Sequence, residues 1–312
     1  MAVRVAEEWL ATCGGCEVTI LDIGEPLLDL LPQLQFVHMP VLMDHKYFGQ
    51  KGEKPGKLEI PKADVGIISG GIRTKENREV AEEMRKKCKT LIAIGSCANF
   101  GGIPALGNMY TVDQIFDKVY RKTRSVDPGG KNPSEELPGY EDRVYAVNEA
   151  VKVDVALPGC PTTPEMVAEA LTALLSGKPF SLPERSVCDD CPTKREKKAV
   201  TNLKRPLEPV DFKPGQPMGE VRCFMEQGFL CLGPATRSGC GGAEKVPRCV
   251  KAYMTCRGCF GPIRAGANPM VDMMGALSTI GLDAKQIEDR MATFNRFIGV
   301  VGRLRPMPAA KK

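Results

Sequence analysis

The placement of cysteine along the chain constrains its structure more than any other feature of the sequence. Thirteen of the 312 residues are cysteine, whereas only two, His38 and His45, are histidine. Five cysteines precede residue 180, and the other eight lie between residues 188 and 259. Thiols in this number, with so few imidazoles, indicate metal held by sulfur. All-thiolate sites favour zinc or iron–sulfur clusters.

The rest of the sequence indicates where these thiols work. No stretch has the length and apolarity of a membrane-spanning helix, and the opening MAVRVAEEWL has no cleavable leader pattern. We therefore predict a cytoplasmic protein without membrane contact, and disulfides are rare in that compartment. The net charge is +5. The basic run at residues 194–198 has no aromatic-rich or helix-turn-helix pattern beside it, so no nucleic-acid partner is predicted.

Segments typical of strands and of helices alternate through the first 180 residues. Strands are predicted at residues 5–12, 35–42, 63–71, 90–97 and 153–160. Helices are predicted as a broken stretch at 17–31, as a continuous one at 75–88, and after the capping residues Thr111 and Thr163. This alternation predicts an α/β fold with a doubly wound parallel sheet. Periodic patterns fade afterwards, so we predict one domain at residues 1–180 and a loop-rich, cysteine-rich domain at 181–312.

Three of the predicted strands end beside a cysteine. Cys13 follows the first strand, Cys97 and Cys160 end two later ones, and Cys16 shares a turn with Cys13. The carboxyl ends of parallel strands meet at one edge of a sheet, so these four thiols are expected at one site. A redox-active pair of Cys13 and Cys16 would leave the other two unexplained, and structural zinc usually binds locally spaced cysteines. Cys88 lies on the apolar stripe of its helix and is predicted to be a buried thiol.

The second half contains enough cysteines for two further sites with four ligands each. They are Cys188, Cys191, Cys223, Cys231, Cys240, Cys249, Cys256 and Cys259. Zinc ribbons favour C-x-x-C pairs about 15–20 residues apart, and the four single cysteines break that pattern. Iron–sulfur clusters tolerate irregular spacing, and three such centres in one chain would conduct electrons. A zinc-stabilised interaction scaffold is the alternative from a different class of protein.

The cysteine motifs resemble those of [NiFe] hydrogenase small subunits. CGGC at 13–16, GSCANFGG at 95–102 and GCPTTP at 159–164 are similar to the proximal-cluster motifs of that family, and CLGPAT and CRGCFGP to its medial-cluster segments. The resemblance extends from about Glu8 to Gly261. Within the family, the sequence is most similar to the gamma subunits of F420-non-reducing hydrogenases. The resemblance implies a flavodoxin-like first domain and a loop-rich iron–sulfur domain.

The same resemblance implies a ligand set for each of three [4Fe–4S] clusters. The proximal cluster would be held by Cys13, Cys16, Cys97 and Cys160. The medial cluster would be held by Cys231, Cys240, Cys256 and Cys259. The distal cluster would be held by Cys188, Cys191, Cys223 and Cys249. Either Cys240 or Cys249 could complete the medial site, and this point stays open.

The resemblance also implies that the chain is one subunit of an oxidoreductase. No C-x-x-C pair has the histidine of the nickel-binding motif, so no catalytic residue is predicted here, and the Ni–Fe site is expected on a large-subunit partner. Electrons from H2 would pass through three clusters to a downstream redox subunit. The downstream subunit would be a small iron–sulfur subunit of the delta type, which would pass the electrons to a heterodisulfide reductase complex. Small subunits of F420-reducing or NAD-linked hydrogenases are the alternatives.

Two positions near the predicted proximal site concern acidic groups. Relatives commonly have a glutamate where Ser69 ends the third predicted strand. Glu17 could supply a carboxylate there instead. A carboxylate at the start of a helix also has the ordinary role of interacting with the helix dipole, so both interpretations of Glu17 stay open.

Overall fold

Seven strands occur in the residues that the computed structural model describes, which are 2–43, 58–196 and 199–306. They are β1 (Val3–Trp9), β2 (Leu34–His38), β3 (Ala63–Ser69), β4 (Ile72–Thr74), β5 (Cys88–Ile94), β6 (Tyr140–Tyr145) and β7 (Val155–Leu157). Five of them form a parallel sheet in the order β2-β1-β3-β5-β7, and β4 pairs with β6 antiparallel. Counted within the parallel sheet, this is the flavodoxin-like order 2-1-3-4-5. The predicted α/β class is confirmed.

Helices follow the strands of this sheet. They are α1 (Gly15–Leu21), α2 (Glu25–Leu30), α3 (Lys75–Lys87), α4 (Gly95–Phe100), α5 (Val112–Phe116) and α6 (Pro164–Leu175). The predicted capping box of α5 is confirmed, since Thr111 Oγ1 accepts from the Gln114 N–H at 3.2 Å and Gln114 Oε1 from the Thr111 N–H at 2.8 Å. Thr163 Oγ1 accepts from the Met166 N–H at 3.3 Å at the start of α6, as predicted. No helix among the described residues is long and apolar enough to cross a membrane.

All five strands of the parallel sheet end earlier than the sequence pattern predicted, including β7, which ends at Leu157 before Cys160. β2 ends at His38 because Pro40 cannot continue the ladder. The predicted end of β5 at Cys97 was wrong, because Gly95 takes a φ of 82° and starts α4. Cys97 therefore lies on a helix just beyond the strand. His45 falls outside the described residues.

The core of this sheet region lies between α3 and the strands. Val80 and Met84 on α3 are buried against the sheet with Leu91 on β5, and each such side chain contributes about 1.5–3 kcal/mol by its burial. Cys88 is buried in the same cluster, where a Cβ at Gly66 of β3 would lie 2.6 Å from its Sγ. The sulfur thus fills the space above a glycine. The prediction of a buried thiol is confirmed, but its predicted place on the helix was wrong, because α3 ends at Lys87 and Cys88 begins β5.

The chain divides into two compact units, one of residues 1–168 and 298–312 and one of residues 169–297. The second unit has few regular elements beyond α6. They are α7 (Val187–Asp190), α8 (Arg248–Lys251), α9 (Pro269–Thr279), α10 (Arg290–Phe294) and four short 3-10 turns within the described residues. Its apolar side chains form two clusters, one around Met273 and Leu277 and one around Phe224 and Val250. The domain boundary at residue 180 stays a prediction.

Candidate metal centres

Four cysteines gather at the carboxyl edge of the parallel sheet, and we call them the proximal set. Cys13 lies in the turn after β1, Cys16 on α1, Cys97 on α4 and Cys160 after β7. Burial and, to a smaller extent, the nearby Cys160 and Cys13 raise the pKa of the Cys97 thiol to about 12. The pKa of Cys16 is also raised to about 12, by burial, by Glu17 and by Cys97 and Cys160. The four sulfurs are therefore close enough to interact electrostatically.

The backbone around the proximal set is shaped for sulfur. A Cβ at Gly95 would overlap the Cys16 sulfur, and one at Gly102 would lie 2.5 Å from Cys97 Sγ. The Ser96 N–H donates to the Gly159 carbonyl at 2.6 Å, which joins the segment that carries Cys97 to the one that carries Cys160. Backbone hydrogen bonds from Thr162 and Ile103 lower the pKa values of Cys16 and Cys97 and so favour thiolates. These features fit a bulky group bound through sulfur.

A second group, which we call the Cys188 set, lines a cavity in the second unit. Its members are Cys188, Cys191, Cys223 and Cys231. The cavity has about 380 Å³ of space, part of it open to solvent, and apolar walls that include Phe224 and Val250. Burial and, to a smaller extent, Cys231, Cys191 and Cys223 raise the pKa of Cys188 to about 12. Four thiols around one cavity with mainly apolar walls fit a thiolate-bound cluster.

The remaining four cysteines, the Cys256 set, are Cys240, Cys249, Cys256 and Cys259. Burial and then Cys249 raise the pKa of Cys240. Burial also raises the pKa of Cys256 well above its ordinary value, and Cys231, Cys259 and Cys249 add to this shift. The backbone N–H of Cys256 donates to Cys231 Sγ at 3.3 Å, so the two sets of the second unit are neighbours.

Comparison with known proteins identifies the family. Residues 13–174 match the family model described as NADH ubiquinone oxidoreductase, 20 Kd subunit. A vhu-type subunit of the F420-non-reducing hydrogenase of Methanocaldococcus jannaschii is 40% identical over 298 residues, which cover 95% of each chain. This chain belongs to the small-subunit family of [NiFe] hydrogenases. The predicted resemblance is thereby confirmed.

Solved hydrogenases share the fold of this small subunit. A chain of the NAD+-reducing [NiFe]-hydrogenase in its H2-reduced state superposes with a TM-score of 0.53 at 34% identity, covering 59% of this chain and 96% of that one. A chain of the reduced, active Ni-Fe-Se hydrogenase of Desulfomicrobium baculatum superposes with a TM-score of 0.51 at 17% identity, covering 84% and 95%. The second likeness concerns the fold alone. Small subunits of this family contain iron–sulfur clusters, and the three cysteine sets supply thiolates of the kind that such clusters need.

The cysteine sets of the small subunit differ from the expected ones at two positions. Cys231 was expected with the medial ligands, but it lines the cavity of the Cys188 set. Cys249 was expected with the distal ligands, but its cysteine neighbours are Cys240 and Cys256. A hydrogen bond of 2.8 Å from the Val187 N–H to the Thr236 carbonyl explains the first difference, because it joins α7 to the turn that follows Cys231. Cys240 and Cys249 lie close to each other, and which of them would complete the medial site stays a prediction.

No single-ion site accompanies these sets in residues 2–43, 58–196 and 199–306. No three His, Cys, Asp or Glu side chains in those ranges are grouped closely enough to hold one metal ion. In a [4Fe–4S] cluster each cysteine binds its own iron, so the ligands surround a cavity instead of a point. The arrangement of the Cys188 set around its cavity matches that requirement.

Sequence reasoning missed a group of buried ionisable residues beside the proximal set. Glu8 and His38 form an ion pair of 2.7 Å, with both side chains fully buried. Glu7 and Glu17 lie against each other, and burial followed by the charges of Glu17 and Glu8 raises the pKa of Glu7 to about 9. Glu17 lies in the first turn of α1 but is buried, and Ser69 is buried at the end of β3. Two adjacent glutamates inside an otherwise apolar strand were the available signal.

Proposed function

We propose that this hydrogenase small subunit binds three [4Fe–4S] clusters and works in the cytoplasm as the electron conduit of its enzyme. When bound, these clusters accept and donate single electrons, so that electrons from H2 oxidation on a large subunit reach a downstream redox subunit. The observation that carries this proposal is the grouping of twelve of the thirteen cysteines into three sets of four. Glycine backbone fits closely around the sulfurs of the proximal set, and the cavity of the Cys188 set has mainly apolar walls; both features favour a thiolate-bound cluster.

The ligand assignment follows the spatial sets. The proximal set would hold the cluster nearest to the large subunit. The Cys188 set and the Cys256 set would hold the distal and medial clusters, respectively, with Cys231 and Cys249 exchanged relative to the expectation from sequence. Backbone N–H groups that point at Cys16, Cys97, Cys231 and Cys256 stabilise the negative charge of the thiolates.

The rim of the proximal set supports a large-subunit interface. Cys13 is exposed in this chain, and apolar side chains surround it. Trp9 is 44% exposed, and Val18 and Leu21, three residues apart on α1, are 54% and 44% exposed. Exposed apolar side chains grouped in this way mark protein interfaces. We propose that the large subunit covers this rim.

The electron acceptor is proposed from the relatives. The F420-non-reducing relative matches nearly the whole chain, whereas the NAD+-reducing structure matches only its first part. We therefore favour a small iron–sulfur subunit of the delta type, and beyond it a heterodisulfide reductase complex, over an F420- or NAD-linked acceptor.

Metal analysis of the anaerobically purified complex tests the central proposal. We expect about twelve irons and matching acid-labile sulfide per small subunit, four for each of three clusters. A preparation rich in zinc and free of sulfide would contradict the proposal and favour the scaffold alternative.

Substitution of one proposed cluster ligand and of one buried cysteine outside the sets provides a matched functional test. Cys13→Ala should reduce H2-dependent dye reduction roughly tenfold or more, because even outer partners of metal sites contribute 10- to 100-fold. Cys88→Ala is the control, since that sulfur packs on Gly66 inside the core of the sheet region, and it should leave the cluster signals in electron paramagnetic resonance unchanged. Equal activity of the two variants would count against a cluster at the proximal set.

A further inference from the structure

A buried hydroxyl contacts one of the cysteines of the Cys188 set. Thr193 Oγ1 lies 3.1 Å from Cys191 Sγ, within hydrogen-bonding distance for sulfur. Thr193 is 6% exposed and lines the same cavity as the four thiols. Solvent therefore screens the interaction between this hydroxyl and the sulfur only weakly.

The direction of this hydrogen bond follows from the chemistry of the ligand. In the free chain either group could donate the proton. A cysteine that binds iron is a thiolate and has no proton, so the Thr193 hydroxyl must then be the donor. A hydrogen bond to an ionised acceptor is stronger than one between neutral groups.

The backbone holds Thr193 in this position. The next residue, Lys194, forms a bridge with Arg222, in which the Lys194 N–H donates to the Val221 carbonyl and the Cys223 N–H donates to the Lys194 carbonyl, both at 2.8 Å. This bridge connects the segment after Cys191 to the segment of a second ligand of the same set. Thr193 is thus placed by the same contacts that bring Cys191 and Cys223 together.

Other groups near the thiols differ from Thr193 in kind. The hydrogen bonds to Cys231 and Cys256 come from backbone N–H groups, which no side-chain substitution removes. Arg195 also lines the cavity and donates to the Cys188 carbonyl at 2.5 Å. It is exposed, so solvent screens its charge. Thr193 combines burial with direct contact to a ligand sulfur.

We propose that Thr193 raises the reduction potential of the cluster held by the Cys188 set by donating a hydrogen bond from its hydroxyl to the Cys191 sulfur. The inference rests on the proposed function. A reduced cluster carries one more negative charge than an oxidised one, so a donor to its sulfur stabilises the reduced form more. Thr193 would accordingly favour the reduced state of this cluster without binding iron itself.

Redox titration of the complex, followed by electron paramagnetic resonance, tests the proposal. Thr193→Val replaces the hydroxyl with a methyl group of similar size, and Thr193→Ala removes it with less bulk. We expect either variant to lower the one-electron reduction equilibrium constant of this cluster about threefold to tenfold, the tenfold limit being about 59 mV toward negative potential. Thr193→Ser keeps the hydroxyl and should retain the wild-type potential. The signal is assigned by its change in Cys223→Ser.

The possible results separate this inference from the proposed function. A negative shift in Thr193→Val and Thr193→Ala, with Thr193→Ser and the other two clusters unchanged, supports the role of the hydroxyl. An unshifted cluster in both hydroxyl-free variants, or an equal shift in Thr193→Ser, overturns it while leaving the electron conduit intact. A wild-type complex without a cluster at the Cys188 set would overturn the proposed function itself.

Discussion

At the scale of single residues, the buried acids beside the proximal set are the largest departure from the ordinary distribution of charge. Glu7 and Glu8 follow each other on β1, and both are fully buried. Glu8 Oε2 lies 2.7 Å from His38 Nε2, whereas Glu7 meets another carboxyl group, that of Glu17. Burying a carboxylate without a cation is costly, so Glu7 retains its proton to high pH.

The raised pKa of Glu7 makes stability depend on pH. Its pKa is about 9 in the folded chain and 4.5 as the ordinary value. Below pH 4.5 this acid is protonated in both the folded and the unfolded chain, so it adds no pH dependence. Between pH 4.5 and 9 only the folded chain keeps the proton, so the free energy of unfolding falls as pH rises, by up to about 1.4 kcal/mol per pH unit from this group.

Glu7→Gln removes this titration while keeping the shape of the side chain. We expect the variant to lose less stability than the wild type between pH 6 and pH 8.5, as measured by anaerobic thermal unfolding of the complex. Glu141→Gln is the control, because that residue lies on β6 away from these acids. Identical pH dependence in wild type and Glu7→Gln would show that Glu7 is not the group responsible.

At the scale of elements, α1 serves two purposes with its two faces. Cys16, Glu17 and Ile20 are buried, whereas Val18 and Leu21 point to solvent. The buried face brings a thiol to the proximal set. The exposed face carries two of the apolar side chains of the proposed rim, so under the proposed function α1 would contact both the cluster and the large subunit.

Val18→Glu tests the exposed face. A charge at the centre of an apolar interface costs more than about 1.4 kcal/mol, or tenfold in affinity. We expect the variant to copurify poorly with the large subunit, while its own fold, followed by circular dichroism, remains. Val119→Glu is a matched control, because Val119 is similarly exposed at 48% on a different element. Equal loss of the large subunit in both variants would argue against an interface at α1.

The element scale also shows how far local patterns reach. The capping box of α5, the interruption of the helical stretch at 17–31 and the start of α6 were predictable, because each depends on residues within a few positions of one another. The start of α4 was missed because apolar residues continue past Ile94 while the backbone turns at Gly95. An apolar run predicts that a segment is buried, but it does not indicate the residue at which a strand ends and a helix begins.

At the scale of the whole molecule, the distribution of the eight later cysteines between two sets is the main structural result. The sequence places Cys231 and Cys249 18 positions apart in a segment without long helices or strands. The bridge between Lys194 and Arg222 and the contact between α7 and Thr236 bring Cys231 to the cavity. Folding of this unit therefore selects which cysteines are neighbours.

Paired substitutions test this distribution. Cys231→Ser and Cys223→Ser should alter the same cluster signal in electron paramagnetic resonance, because both residues line one cavity. Cys249→Ser should alter a different signal, shared with Cys240→Ser. If Cys231→Ser instead altered the same signal as Cys240→Ser, and Cys249→Ser the same signal as Cys223→Ser, the ligand sets expected from the sequence would be correct.

The sequence by itself determined the α/β class, the position of the four proximal-set cysteines at one sheet edge and the burial of Cys88. Each of these follows from periodic elements, in which the place of a residue along the chain fixes its face or end. The tertiary structure alone decided the partners of Cys231 and Cys249, the burial of Glu7 beside Glu17 and the contact of Thr193 with Cys191. These depend on which loops pack together, because an irregular segment has no repeat that relates distance along the chain to distance in space.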